Sequence, residues 1–492
     1  MGTTSAPQDL RLTNNGGAPL AITSITVSGD FQRVSAGTGD CGAALAPGSS
    51  CTIRVTFTPS AVGSRSGTVT VNDNAANSPQ TASLSGNGVP PPGGKYNPVS
   101  PKRILDTRYG PLPVGWSSAA PLGPGGSLDV QVADGITVPS NATAVVLNVT
   151  VTNTTANGGY LTVYPTGSQL PTASNLNWSA NTTVPNLVEV QIGNSGRVSA
   201  FNGFGNADVI FDLEGYVSPQ TVNAVADGAF HPLVPYRIID TRSGPYPVGQ
   251  AAPAQVPANH TVTIQVAGTN GTSGVPATGA EAVVLNVTVT NPRGPSYLTV
   301  YPTGQSLPNA SNLNFTTGQT VPNRVMVPLG TNGQVNIFNG WNATDVVVDV
   351  NGYFTDNTAT ATTQGRFTAV VPARILDTRY GPAPVGRPLG PVGPGQTIIV
   401  QVSGQGGVPG VSSQVPPKAV ALNVTVTNTT ANSYLIVYPS DAGQPGVSDL
   451  NWPPGKTVPN MVVVKLAADG SIKIYNGSGN AHIIVDVLGW YS

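Results

Sequence analysis

The sequence predicts an all-β protein, with one small sandwich at the N-terminus followed by three tandem β-sandwich or jelly-roll repeats. Three observations carry that prediction. A set of motifs is written three times in one order, with Thr183, Thr320 and Thr457 each 137 residues apart. Short runs rich in Val, Ile and Thr alternate apolar with polar residues between clusters of Gly, Pro and Asn, the pattern of strands and turns. No segment of ten or more residues carries helical periodicity free of Pro or Gly.

Residues 1–89 form the first element. Apolar alternation marks Leu10–Leu12, Ile22–Ile25, Cys51–Phe57 and Thr68–Val71, which is an immunoglobulin-like pattern at the short end of the usual size. The two cysteines, Cys41 and Cys51, flank the turn Leu45-Ala46-Pro47-Gly48. Paired, they would close a short loop, contribute about 3 kcal/mol and suit an oxidising compartment; two buried thiols are the alternative. The run Leu10-Arg11-Leu12-Thr13-Asn14-Asn15-Gly16, the Cys41–Cys51 stretch followed by Ile53-x-Val55-x-Phe57-x-Pro59, and Ser83-Leu84-Ser85-Gly86-Asn87-Gly88 resemble the choice-of-anchor D group of immunoglobulin-like domains, related to the ASPM/SPD-2/Hydin type. The resemblance implies an apolar strand just before Gly2-Thr3-Thr4-Ser5, where Met1 stands. A sandwich without that strand would expose backbone groups. A segment from the next molecule would cover them, joining chains head to tail into a filament. The plainer alternative is that the N-terminus has been left off. Residues 90–97, opening on Pro90-Pro91-Pro92, read as an extended linker.

The repeats follow at 98–218, 219–355 and 356–492. Each opens on Arg103-Ile104-Leu105-Asp106-Thr107-Arg108 or its counterparts from Arg237 and Arg374, and closes on Asp212-Leu213-Glu214-Gly215-Tyr216 or its counterparts from Asp349 and Asp486. The opening and closing strands are expected side by side. Val145, Leu147, Val149 and Val151 alternate with Val146, Asn148, Thr150 and Thr152, as in a strand with one buried face. These copies resemble a repeat module of secreted and surface proteins of actinobacteria and similar bacteria, which brings no catalytic role with it. Laid end to end, four globules would reach about 140 Å.

Composition narrows the function. Of 492 residues only 9% are charged, with 21 Lys+Arg against 22 Asp+Glu and a net charge of −1, where about 25% is usual. Without a basic block a nucleic-acid partner is excluded. No run of about 18 apolar residues encodes a membrane span, and Met1–Pro7 lacks the features of a signal peptide, so a processed chain or another export route is expected. Low charge with abundant Thr, Ser, Asn and Gly suits an extracellular β-protein.

Little in the chain looks catalytic. His231, His260 and His482 share no metal-ligand spacing, no nucleophile elbow, zinc motif or phosphate loop is present, and no cofactor is implied. The recurring charges allow two readings. Asp106 and Asp212 could form a carboxylate pair for catalysis or Ca²⁺. The favoured reading is a structural ion-pair network of Asp106, Arg108 and Asp212, Asp240, Arg242 and Asp349, and Asp377, Arg379 and Asp486, with Asp106 and Arg108 on one strand face. Trp178, Phe315 and Trp452 beside amides could stack on sugars or fill a core. Glycosylation sequons stand at Asn141, Asn148, Asn153, Asn177, Asn181, Asn259, Asn270, Asn286, Asn309, Asn314, Asn342, Asn423, Asn428 and Asn476, and Asn148, opposite Leu147, is expected to have room for a glycan. The leading expectation is a non-enzymatic extracellular structural protein, self-associating as the subunit of a bacterial surface fibre. A glycan-binding adhesion protein and an accessory region of a secreted hydrolase are the alternatives.

Overall fold

The computed structural model describes residues 4–59, 63–88, 93–219, 225–268, 273–362 and 364–492. They divide into two compact units, Met1–Pro91 and Pro92–Ser492. The expected first strand before Ser5 and the prolines of the linker lie outside the described residues.

The first unit is a two-sheet sandwich. One sheet orders Gln8–Thr13, Ser50–Phe57 and Phe31–Val34; the other orders Ala44–Leu45, Leu20–Val27, Gly63–Asp73 and Gln80–Gly88. Alternation places Ile53 and Val55 of one sheet against Ile22, Val69 and Val71 of the other. Cys41 and Cys51 are joined as a disulfide within this core.

Each repeat of the second unit is an eight-stranded jelly roll. In the first, the inner sheet orders Val184–Gln191, Ala144–Thr152, Asp208–Ser218 and Lys95–Asp106, and the outer sheet orders Leu176–Trp178, Gly159–Pro165, Arg197–Asn202 and Ser127–Gln131. The other two repeats follow the same order. The opening strand begins at Lys95, so Lys95–Asn97 belong to a sheet, not to the expected linker. Leu105, Leu147, Val149, Leu161 and Val163 fill the space between the sheets, each contributing about 1.5–3 kcal/mol through burial.

The three repeats are not strung in line. Their inner sheets face one another and share a central core that includes Val146 of the first repeat, Val284 of the second and Ala421 of the third. Strand Ala144–Thr152 is therefore buried on both faces: Val145, Leu147, Val149 and Val151 point into the repeat's own core, while Ala144 and Val146 point to the shared one. The polar half of the alternation is an interface with neighbouring repeats, which corrects the expectation of one solvated face.

One end of this ring is closed by backbone. Gly94 exchanges main-chain hydrogen bonds with Phe367, Gly228 accepts from Tyr96 N, and Gly365 accepts from Phe230 N. Tyr96, Phe230, Phe354, Phe367 and Tyr491 fill the centre behind these contacts. The glycine of each closing motif lies under one of these rings; a Cβ on Gly352 would stand 2.4 Å from Phe230 Cε2. Gly352→Ala is expected to lower stability by about 1–3 kcal/mol through overpacking. An unchanged urea midpoint would show that the ring can yield.

Candidate functional site

The repeated motifs meet in two places: at the joint between opening and closing strands, and on the pseudo-threefold axis. At the joint, the guanidinium of Arg103 holds Asp212, with Nε to Oδ1 2.8 Å and Nη2 to Oδ2 3.1 Å, and also reaches Asp106 through Nη1 at 3.2 Å. Arg108 lies beyond the strand, in the turn, and folds back on Asp106 with Nε to Oδ1 2.9 Å and Nη2 to Oδ2 2.7 Å. Asp106 and Arg108 therefore do not share a strand face as the spacing suggested. Arg237 with Asp349, Arg242 with Asp240, Arg374 with Asp486 and Arg379 with Asp377 repeat the arrangement. Arg103, Arg237 and Arg374, which carry the link to the closing strand, were not singled out by sequence reasoning, although each opens its motif.

The two carboxylates of a joint differ electrostatically. Burial pushes Asp106 up, but bonds and charge attraction from Arg108, then Arg103, bring it below its ordinary value. Burial dominates at Asp212 and leaves it raised despite Arg103. An arginine thus stands between the two carboxylates and bonds to both. The threonine of the same motif bonds to a neighbouring strand: Thr107 Oγ1 to Asp208 Oδ1 at 3.0 Å, Thr241 Oγ1 to Asp345 Oδ1 at 2.9 Å, and Thr378 Oγ1 with His482 Nδ1 at 3.0 Å. His482 thus fills a structural position. His231 stacks on Tyr353, and His260 begins an outer-sheet strand.

On the axis, six asparagines from two motifs tie the ring. Asn148 Nδ2 donates to Ser311 O at 2.6 Å, Asn323 Nδ2 donates to Asn148 Oδ1 at 2.8 Å, and Leu187 N donates to Asn323 Oδ1 at 3.2 Å. Asn286, Asn460 and Arg324 N build the same set between the second and third repeats. Asn423, Asn186 and Met461 N build it between the third and first, which closes the circle. Buried amides of this kind must find partners, and here each repeat supplies those of its neighbour.

These bonds overturn part of the glycosylation reading. Asn148, Asn286 and Asn423 are 0–1% exposed and engaged in the ring, so the room expected at Asn148 does not exist. Asn476 is also buried, donating to Val392 O, Gly393 O and Gly479 O. Asn141, Asn153, Asn181, Asn259, Asn309 and Asn428 are exposed, while Asn177, Asn314 and Asn342 are half-buried. Asn270 lies outside the described residues. Trp178, Phe315 and Trp452 are buried in their repeats' cores, not displayed as platforms.

Beside the amides, two of the three joints carry a buried polar pair that shares one repeat position, Asn312 in one and Asp449 in the other. Between the first and second repeats Asn312 Nδ2 donates to Glu214 Oε1 at 3.0 Å. Between the second and third, Arg324 Nη2 reaches Asp449 Oδ1 at 2.8 Å with both side chains almost fully enclosed. Glu189 lies in the same interior, accepting from Tyr491 Oη at 2.7 Å; burial raises it to about 8. Where the three repeats meet at the other end of the axis there is a cavity of about 500 Å³, lined by Asn177–Pro185, Thr317–Pro322 and Asn451–Pro459 segments.

The first unit's two sheets and disulfide are those of an immunoglobulin-like sandwich. Residues 3–87 match the family of HYDIN/CFA65/VesB-like Ig-like domains. The Ig-like domain is thus established at that level. No curated protein matches the chain. Among solved structures, the secreted serine protease VesC from Vibrio cholerae is 13% identical over 44% of this chain and 47% of its own, with a TM-score of 0.15; the chain thus spans about half the length of that protease. A Sulfolobus Turreted Icosahedral Virus structure is 11% identical over 81% of this chain and 90% of its own, with a TM-score of 0.17. The CBM22-1-CBM22-2 tandem of Paenibacillus barcinonensis Xyn10C is 10% identical over 54% of this chain and 100% of its own, also at 0.17. Likenesses at this level do not bear on function. No described helix is long and apolar enough to cross a membrane.

Proposed function

We propose that the chain is an extracellular, non-enzymatic structural protein and the subunit of a surface fibre. What supports this reading most is where the thrice-repeated polar residues go. The Asp–Arg clusters join first strand to last, and the asparagines join repeat to repeat. Three jelly rolls fused into a ring make a preassembled, rigid building block. The disulfide of the Ig-like domain suits an oxidising, external setting. Among the described residues its strand Gln80–Gly88 pairs on one side only, an edge that an extended segment of a neighbouring copy can join. Exposed sequons such as Asn141 and Asn181 offer places for glycans.

The test is assembly of the full chain. Negative-stain images and sedimentation at rising concentration are expected to show filaments growing from single copies. A protein that stays monomeric at about 100 μM, where contacts of even modest affinity are occupied, removes the fibre reading.

A further inference from the structure

We propose that the cavity at the distal end of the pseudo-threefold axis binds an acidic sugar, a residue carrying a carboxylate among its hydroxyls. This goes beyond the structural role and does not depend on it, since a copy that forms no filament can still bind the sugar. Two things place the cavity. Three equivalent segments, one per repeat, line it, so it exists only in the closed ring. It also lies at the end of the closing strands away from where the chain enters the unit: Val151 pairs with Val184 of the lining and with Val209, whereas the glycine contacts cluster near Val217. Val217 lies eight residues along the strand from Val209, roughly 26 Å away.

Its size of about 500 Å³ falls in the range of small-ligand sites, and its chemistry is one-sided. Thr182, Gln319 and Lys456 occupy the same repeat position, 137 residues apart, so the symmetry of the scaffold is broken at the rim. That favours one asymmetric ligand over a threefold one. Lys456 is the only charged residue in the lining, and it has no ion-pair partner among the described residues. Gln319 accepts a bond from Thr316 N through Oε1, and Asn177 accepts one from Ser174 Oγ through Oδ1; among the described residues neither amide nitrogen donates. Three nitrogen donors unengaged among the described residues, one of them cationic, therefore line a pocket that holds no acidic residue. They call for an acceptor-rich anion, and the apolar walls formed by Pro185, Pro322 and Pro459 suit the C–H face of a sugar ring. An inorganic anion would leave those walls unused.

The experiment is isothermal titration of the full chain with trigalacturonate and, in parallel, with neutral maltotriose. Trigalacturonate is expected to bind with a Kd between about 10 μM and 1 mM, and maltotriose at least about tenfold more weakly. Lys456→Gln is expected to weaken the acidic sugar about tenfold or more without shifting the melting temperature, since the side chain is exposed and unpaired. Gln319→Ala, at the equivalent position of the second repeat, is expected to weaken both sugars. The proposal is overturned if trigalacturonate fails to bind, if Lys456→Gln leaves its affinity unchanged, or if the neutral sugar binds as well.

Discussion

Arg324→Leu made alone is expected to destabilise the ring by about 3–5 kcal/mol, the usual cost of stranding one partner of a buried ion pair. Arg324 is fully enclosed between the second and third repeats, donating to Asp449 Oδ1 at 2.8 Å and to Met461 O at 3.2 Å. Burial alone drives the Asp449 carboxyl up and the Arg324 guanidinium down, and each relies on the other to offset that. The equivalent positions elsewhere carry Leu187 with Asn312, and Met461 with Asn175, so the scaffold already accepts an uncharged pair. Arg324→Leu combined with Asp449→Asn is therefore expected to recover to within about 1 kcal/mol of the parent protein, because replacing both partners removes the stranded charge. Asn351 Oδ1, buried without a hydrogen-bond partner among the described residues, occupies the position of Glu214, and the amide introduced at 449 can donate to it as Asn312 does to Glu214. A double-mutant cycle by urea denaturation measures this. Additive losses would mean that the two charges do not act as a pair.

Stability is expected to fall as pH rises from about 5 to 8, opposite to most proteins that rely on ionised carboxylates. Glu189 is raised to about 8 and Glu281 to about 7, both chiefly by burial, and Glu214 is raised for the same reason. A glutamate that ionises near 4.5 when unfolded but near 8 when folded leaves the folded state holding the extra proton between those values. Stability therefore declines through that window at up to about 1.4 kcal/mol per pH unit for each such group. Below it, Asp106, Asp240 and Asp377, all held low after burial is offset by their arginines, lose their stabilising charge as pH drops through the values below 3.8. The maximum is thus expected at about pH 4–5. Glu189→Gln keeps a neutral acceptor for Tyr491 Oη and is expected to flatten the alkaline side by several kcal/mol at pH 8. A melting temperature that rises steadily from pH 5 to 8 would refute the assignment.

Much of the molecule was legible in the chain. Period-two alternation located strands such as those over Cys51–Phe57 and Val145–Thr152, and the recurrence of the same motifs in one order marked the repeats. The Ig-like domain was readable because its Cys41–Cys51 stretch and its Ser83–Gly88 run are local. The Asp–Arg clusters were half readable: Arg108 and Asp106 are neighbours in sequence, but the contact from Arg103 to Asp212 spans 109 residues and depends on which strands pair. One signal of the ring was present and unused. Arg where the other copies have Leu187 and Met461, and Asp where they have Asn175 and Asn312, are two departures in facing positions that compensate each other.

The sequence by itself therefore determined the strands, the jelly-roll units and the polar motifs, because hydrophobic alternation and turn chemistry act over a few residues. Only the tertiary structure decided that the units close into a ring rather than extend into a row. An asparagine turned to solvent and one turned to a neighbouring repeat occupy the same place in a period of two. What separates them is a partner such as Ser174, lying 249 residues from Asn423, and no local pattern encodes a contact at that distance.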